Sequence, residues 1–255
     1  MTVRHDVSDD GAVHTITIDQ PPGNVIDIAM CGELEDAIAT AADATGGKVL
    51  VMRAAGSNFS FGASVEEHLP ETAPEMLAAL GAVIRALVRF PYPTLVGVQG
   101  NCLGGGLELV LGCGIVIAEE SAKLACPEIQ LGVIPPAATA LLGAQGKSRI
   151  AEDILLTGRT VRTNEALAMG LVNVVAPDGE LGATVDAYVE RHFVPRSASS
   201  LRIATAAIRD SYAADVDARL TEAERVYIEE LLPTHDGVEG IQAFIDKRSP
   251  AWKNA

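Results

Sequence analysis

The stretch Thr94-Leu-Val-Gly-Val-Gln-Gly-Asn-Cys-Leu-Gly-Gly-Gly-Leu-Glu108-Leu109 decides how this chain is read. An apolar run with the look of a buried strand breaks at three adjacent glycines and restarts as a helix. Adjacent glycines take positive φ freely and carry no side chain, so residues 104–106 let a bound group approach the backbone closely. The first N–H groups of the following helix lack intrahelical partners and lie at the positive end of its dipole. Such donors suit an anion, including one that forms only in a transition state.

Glu108 is the odd residue of this stretch. A carboxyl between Leu107 and Leu109 loses hydration, which raises its pKa and fits it for proton transfer near neutral pH. A second acid, Glu128, follows 20 positions later in Cys126-Pro-Glu-Ile-Gln-Leu-Gly-Val133. Taken singly, each feature has a plain reading. The glycines also fit a tight connection or a phosphate loop, Glu108 a solvated helix cap, and Glu128 an ordinary loop acid. Together they make the inventory of an active site.

Composition narrows the function classes. The 255 residues are 48% hydrophobic, enough for one large core, and no division into two domains is demanded. A net charge of −15 argues against nucleic-acid or anionic-membrane partners, which draw on clustered Lys and Arg. The N-terminus shows no basic flank followed by an apolar core, and no window offers 18 uninterrupted apolar residues. Cys31, Cys102, Cys113 and Cys126 fit no metal-ligand spacing or disulfide framework. They read as buried thiols in a cytoplasmic protein. The five histidines are scattered without ligand spacing, so no metal is expected.

Periodicity predicts a strand over residues 14–19, a helix over 30–44, a strand over 48–54, a helix from 73 to about 90 and a strand over 94–100. The glycine-led helix and a strand over 115–118 follow. This alternation predicts an α/β core with right-handed crossovers. Beyond about residue 178 the strands stop. Residues 181–191, 199–211, 215–231 and 238–247 read as successive helices. The expected organisation is therefore a core over residues 1–178 that carries the site, and a helical region over residues 179–255.

Asn58-Phe-Ser-Phe-Gly-Ala-Ser64, Val98-Gln-Gly-Asn-Cys-Leu-Gly-Gly-Gly-Leu-Glu108, Pro127-Glu-Ile-Gln-Leu-Gly-Val133 and Leu156-Thr-Gly-Arg159 with Glu165-Ala166 and Gly170-Leu-Val172 resemble the crotonase, or enoyl-CoA hydratase/isomerase, family in order and spacing. The likeness runs from Pro22-Gly-Asn-Val25 to Phe244-Ile-Asp-Lys-Arg-Ser-Pro250. It implies a ββα spiral core, a C-terminal helical trimerisation region, a homotrimer or a homohexamer built as a dimer of trimers, and an acyl-CoA thioester as substrate. Coenzyme A is then part of the substrate, and no separate cofactor is implied. Motif matching places the oxyanion donors at the N–H groups of Ala63 and Gly105.

The resemblance also assigns the acids. Family hydratases use two glutamates at the places of Glu108 and Glu128, whereas many isomerases, hydrolases and decarboxylases keep one or neither. Glu128 is assigned as proton donor to carbon and Glu108 as activator of water, although the pair can share both roles. Coenzyme A is expected along Asn24, Val25, Ser60 and Phe61, with Lys247 reaching its phosphates. Lys247 also reads as the solvated end of a helix.

Departures from the family pattern bear on the acyl group. Residues 62–68 read Gly-Ala-Ser-Val-Glu-Glu-His, and residues 135–139 read Pro-Pro-Ala-Ala-Thr where glycines are common in relatives. Proline fixes φ and each Cβ fills space, so Pro135 to Thr139 are expected to stiffen the acyl wall of the pocket beside Gly104. These segments resemble a narrower branch, the cyclohexa-1,5-diene-1-carbonyl-CoA hydratases. That likeness implies a cyclic conjugated thioester with Ser64, Glu67 and His68 near the ring, and Val65 is expected among the substrate-binding residues. His68 also reads as a surface histidine flanking a helix. Double-bond isomerisation, another acyl-CoA lyase or hydrolase reaction, and acyl-CoA binding without catalysis stay open.

Overall fold

In chain order the computed structural model, which describes residues 1–255, runs β1 (Val3–Val7), β2 (Val13–Ile18), α1 (Ile28–Ala42), β3 (Val49–Ala54), α2 (Ala73–Val88), β4 (Thr94–Val98), β5 (Asn101–Leu103), α3 (Gly105–Gly112), β6 (Ile115–Glu119) and β7 (Lys123–Ala125). It continues with α4 (Pro136–Ala144), α5 (Ser148–Thr157), β8 (Val161–Arg162), α6 (Thr163–Met169), β9 (Val174–Ala176), α7 (Leu181–His192), α8 (Ala198–Val226) and α9 (His235–Ile245). Two short 3-10 turns, Glu66–His68 and Pro127–Leu131, and a π turn, Tyr227–Leu231, complete it.

Six strands form one sheet in the order β1-β2-β3-β4-β6-β9, and β5, β7 and β8 form a second. The first sheet is parallel except for β1, which pairs antiparallel with β2. Strand period explains how it is buried on both faces. In β3, Leu50 and Met52 enter the main core with α1 and α2, while Val49 and Val51 face the other way onto Val185, Val189 and Phe193. Each such side chain removed from water contributes on the order of 1.5–3 kcal/mol.

The chain passes from β4 of the first sheet straight into β5 of the second. The second sheet's strands of two or three residues are too short for a periodic signal, and none of the three was expected. Helices α4 and α5 were also unexpected, because Pro135-Pro136 at the entrance of α4 reads as a rigid loop. Proline at a first helical position loses no hydrogen bond and has its φ already set, so it opens this helix.

The C-terminal helices differ from expectation in one respect. Residues 199–211 and 215–231 are not two helices; α8 is continuous over Ala198–Val226. Residues 212–214, Tyr-Ala-Ala, hold no breaker, and the chain continues through them into the π turn. Its Ala213, Val216 and Leu220 join the main core, and it packs on α4 and α2.

Candidate active site

The glycine triplet is used position by position. Gly104 has φ +49°, and a Cβ there would lie 2.5 Å from Glu128 Oε1. At Gly105 a Cβ would lie 3.1 Å from the Ala63 nitrogen. Only glycine lets the start of α3 come this close both to an acid and to a second N–H.

Ala63 is held by a loop that uses up the polar groups around it. The Asn24 amide donates to the carbonyls of Ala55, Asn58 and Phe59 at 3.0, 3.1 and 3.0 Å. Ser60 Oγ donates to the Asn24 carbonyl at 2.7 Å and accepts from the Gly62 N–H at 3.0 Å. Ile26 and Ser64 then bond across the loop through Gly62 O and Ile26 O. In this pattern the Ala63 and Gly105 N–H groups both donate to no protein acceptor. Asn24 and Ser60, expected beside coenzyme A, turn their side chains inward and brace the loop. Val25 is half-buried, and Phe61 is 46% exposed on the cavity rim with its ring over Gly23.

Both N–H groups belong to residues lining a cavity of about 70 Å³, which also holds Glu108, Glu128, His68, Val65 and Pro135. Glu108 lies on α3, all eight of whose residues are buried. Its Oε1 accepts from the Ala138 N–H at 2.9 Å, a donor in the first turn of α4. Burial raises the Glu108 pKa, and the Ala138 and Ala137 N–H groups oppose the rise. Glu128 reaches in from the 3-10 turn, and its Oε2 is sealed from solvent without a protein partner, although the residue as a whole is half-buried. Burial raises its pKa, and the charge of Glu108 raises it further.

The other expected neighbours divide. His68 lines the cavity and is half-buried; its Nδ1 lies 2.7 Å from Ser64 O. A carbonyl only accepts, so Nδ1 carries the proton and Nε2 is left as an acceptor. Burial lowers the His68 pKa and keeps the ring neutral. Glu67 does not face the cavity: its Oε2 accepts from the Ile28 N–H and caps α1. Ser64 places its hydroxyl beside Glu66. Thr139 is exposed and bonds back to Pro135 O, and of residues 135–139 Pro135 and Pro136 line the cavity. Lys247 lies exposed just past α9 and does not line the cavity of its own chain.

Two groups escaped the sequence reading. The Ala138 N–H is a backbone donor that no side-chain pattern reports. Tyr227 is fully buried with an unpartnered hydroxyl, and its ring centroid is 6.4 Å from that of His68. A tyrosine on a helix face reads as core, so only the three-dimensional packing reveals its place.

A larger cleft of about 490 Å³ lies between Arg89–Pro91 and α8. Its Arg209 is already bonded to the carbonyls of Leu87 and Phe90, and it contains one acid, Asp210, and no carboxylate pair. The smaller cavity is therefore the one equipped for proton transfer.

A helix-led N–H, a second free N–H and two desolvated carboxyls on one cavity are the groups that forming and protonating an enolate calls for. The sequence pattern of the enoyl-CoA hydratase/isomerase family matches residues 8–255, and the chain belongs to that family. It is 38% identical over 245 residues to a cyclohexa-1,5-dienecarbonyl-CoA hydratase of Thauera aromatica, covering 96% of this chain and 94% of the relative. It is 29% identical over 256 residues to a carnitinyl-CoA dehydratase of Proteus mirabilis, covering 95% of each. A solved enoyl-CoA hydratase from Mycobacterium avium subsp. paratuberculosis superposes with a TM-score of 0.87 at 29% identity, over 99% of both chains.

Proposed function

We propose that this protein is a hydro-lyase that adds water to an α,β-unsaturated acyl-CoA thioester, with a cyclic conjugated dienoyl group as its preferred acyl part. The observation that carries this reading is the unequal environment of two glutamates in a single cavity. Glu108, held by a helix N-terminus, is the more readily ionised, and Glu128, with Oε2 unpartnered and Glu108 nearby, is the more readily protonated.

The chemistry then balances. Glu108 takes a proton from water as its oxygen bonds to the unsaturated carbon, and the double-bond electrons move onto the thioester oxygen. The N–H groups of Ala63 and Gly105 hold that oxygen as an enolate. Glu128 delivers a proton to carbon and the carbonyl reforms. One water is consumed, and the second carboxyl's proton is restored by exchange with the first.

The cyclic acyl group is supported by the Thauera relative and by the rigid Pro135-Pro136 wall. The coenzyme A part is proposed to run past Val25 and Phe61, with Lys247 contributing from a neighbouring subunit of a homotrimer or homohexamer. Ile203 and Ile208, 72% and 76% exposed on α8, suit such an assembly. Four buried, unpaired cysteines suit a cytoplasmic setting, and no helix is long and apolar enough to cross a membrane.

The test is a side-by-side assay with crotonyl-CoA and cyclohexa-1,5-diene-1-carbonyl-CoA, following loss of conjugation and gain of one water by mass. Faster hydration of the cyclic thioester is expected. Conversion without change of mass would assign isomerisation instead, and binding without turnover would assign an acyl-CoA-binding protein.

A further inference from the structure

Two buried polar atoms behind the same cavity wall have no protein partner: Glu128 Oε2 and the Tyr227 hydroxyl. The other such atoms, on His14, Gln20, Arg53 and Arg202, belong to residues that do not line this cavity. Tyr227 belongs to one apolar cluster with Val133, whose N–H bonds to the Glu128 carbonyl, and the cavity-lining Ala63, Val65, Leu131 and Ile134 pack against that cluster. His68 lies on its ring side, with Nε2 neither bonded nor sealed. Three polar groups of complementary type thus lie along this wall: a phenol that donates, a carboxyl, and an imidazole nitrogen that accepts.

Packing alone does not account for the phenol. Phenylalanine would fill the same core without desolvating a hydroxyl, and an unsatisfied buried hydroxyl is unfavourable. Tyr227 also begins the π turn that ends α8, a distortion frequent at functional sites. We infer that Tyr227 is a positioning residue for Glu128, its hydroxyl and Glu128 Oε2 being joined through one bound oxygen, of a water or of a hydroxyl on the acyl group, in a recess that His68 closes. The charges of Glu128 and Glu108 both push the Tyr227 pKa up, as burial does, so the phenol stays protonated and able to donate.

The surrounding charges are either paired or, like Arg149 and Glu152 on α5, exposed to solvent. Glu67 caps α1, and Glu66 faces Ser64. On the elements packed against the Glu128 turn, Asp153 near the end of α5 pairs with Arg159, and on α9 Glu239 pairs with Arg248 while Asp236 accepts from the N–H groups of Lys253 and Asn254. Cys126 is buried with its pKa raised, so it is a neutral thiol. Glu108 remains as the charged group that acts on the Glu128 titration.

The experiment is Tyr227→Phe in the full chain, with the Glu128 carboxyl titrated by 13C NMR and assigned through Glu128→Gln. A donor reaching the carboxyl favours its ionised form, so removing the hydroxyl raises the Glu128 pKa by about half to one unit, about three- to tenfold in dissociation constant. If the oxygen is a water, the shift is present in the free protein. If it is an acyl hydroxyl, the shift appears only with a hydroxyacyl-CoA bound, whose Kd rises about tenfold; Glu108→Gln in both proteins prevents turnover during this measurement. An unmoved titration in both states overturns the inference and leaves Tyr227 a core residue. The hydratase reading is judged separately by wild-type turnover, because the NMR titration needs none.

Discussion

Glu108 stands on a helix with every residue buried and takes a hydrogen bond from Ala138, whereas Glu128 stands on a short 3-10 turn and keeps Oε2 without a protein partner. Burial raises the pKa of both, but backbone N–H groups hold Glu108 back while the charge of Glu108 drives Glu128 higher. Two identical side chains therefore acquire opposite tendencies from their surroundings alone, one toward base and one toward acid. The region that supplies a partner is a helix N-terminus; the region that supplies none is a turn tucked under α9.

Removing either carboxyl breaks the comparison most directly. Glu108→Gln and Glu128→Gln are each expected to lower kcat for hydration by about 10²–10⁴-fold, with circular dichroism unchanged. Near-normal turnover in either variant would remove that residue from the chemistry. The asymmetry predicts the pH profile as well. Activity rises as Glu108 loses its proton and falls as Glu128 loses its own, so Glu128→Gln should abolish the alkaline limb of any residual rate and leave the acid limb. A residual rate that keeps both limbs would refute the assignment.

The donors come next in size. Gly105→Ala places a Cβ 3.1 Å from the Ala63 nitrogen, in the space a thioester oxygen needs. A fall in kcat/KM of about 10²-fold is expected, comparable to loss of an oxyanion donor. If the variant matches wild type, the two N–H groups do not converge on substrate.

These predictions use residues that differ in how far the sequence exposed them. The glycine triplet, Glu108 and Glu128 were legible because each violates its local pattern: glycines at a helix start, and acids among apolar neighbours. Strands β3, β4 and β6 were legible from continuous Val, Leu and Ile and β2 from alternation, whereas the three-residue β5, β7 and β9 were too short to show a pattern. The Ala138 donor was not, since residues 135–139 read as a wall of side chains whereas their backbone opens a helix. Asn24 and Ser60 carry family motifs, yet the motif does not say whether an amide faces a ligand or its own loop. In the structure both face the loop, which leaves the Ala63 N–H free.

The wall offers a smaller effect that sharpens the substrate half of the proposal. Pro135→Gly returns flexibility beside Glu108 and Glu128 and removes ring atoms from the cavity. The preference for the cyclic dienoyl over the crotonyl thioester should fall by about tenfold, the scale of a small change in an apolar pocket. An unchanged ratio would place acyl selection elsewhere.

The smallest effect is in stability, and its sign follows from the same asymmetry. A carboxyl whose pKa is raised on folding holds its proton in the folded chain at a pH where the unfolded chain has lost it. Folded protein then binds more protons, so stability falls as pH rises from the unfolded value near 4.3 through the folded one. Glutamine has no proton to lose, and Glu128→Gln should escape that loss. Its melting temperature is expected to exceed that of wild type at pH 8 by a few degrees, at about 2–4 °C for each kcal/mol in a chain of this size, with the gap closing near pH 4. Glu108→Gln should gain less, because the Ala138 N–H already stabilises the ionised form that the substitution removes. Calorimetry at the two pH values reads this directly, and a gap that is the same at both would show that the Glu128 carboxyl is not held protonated by its surroundings.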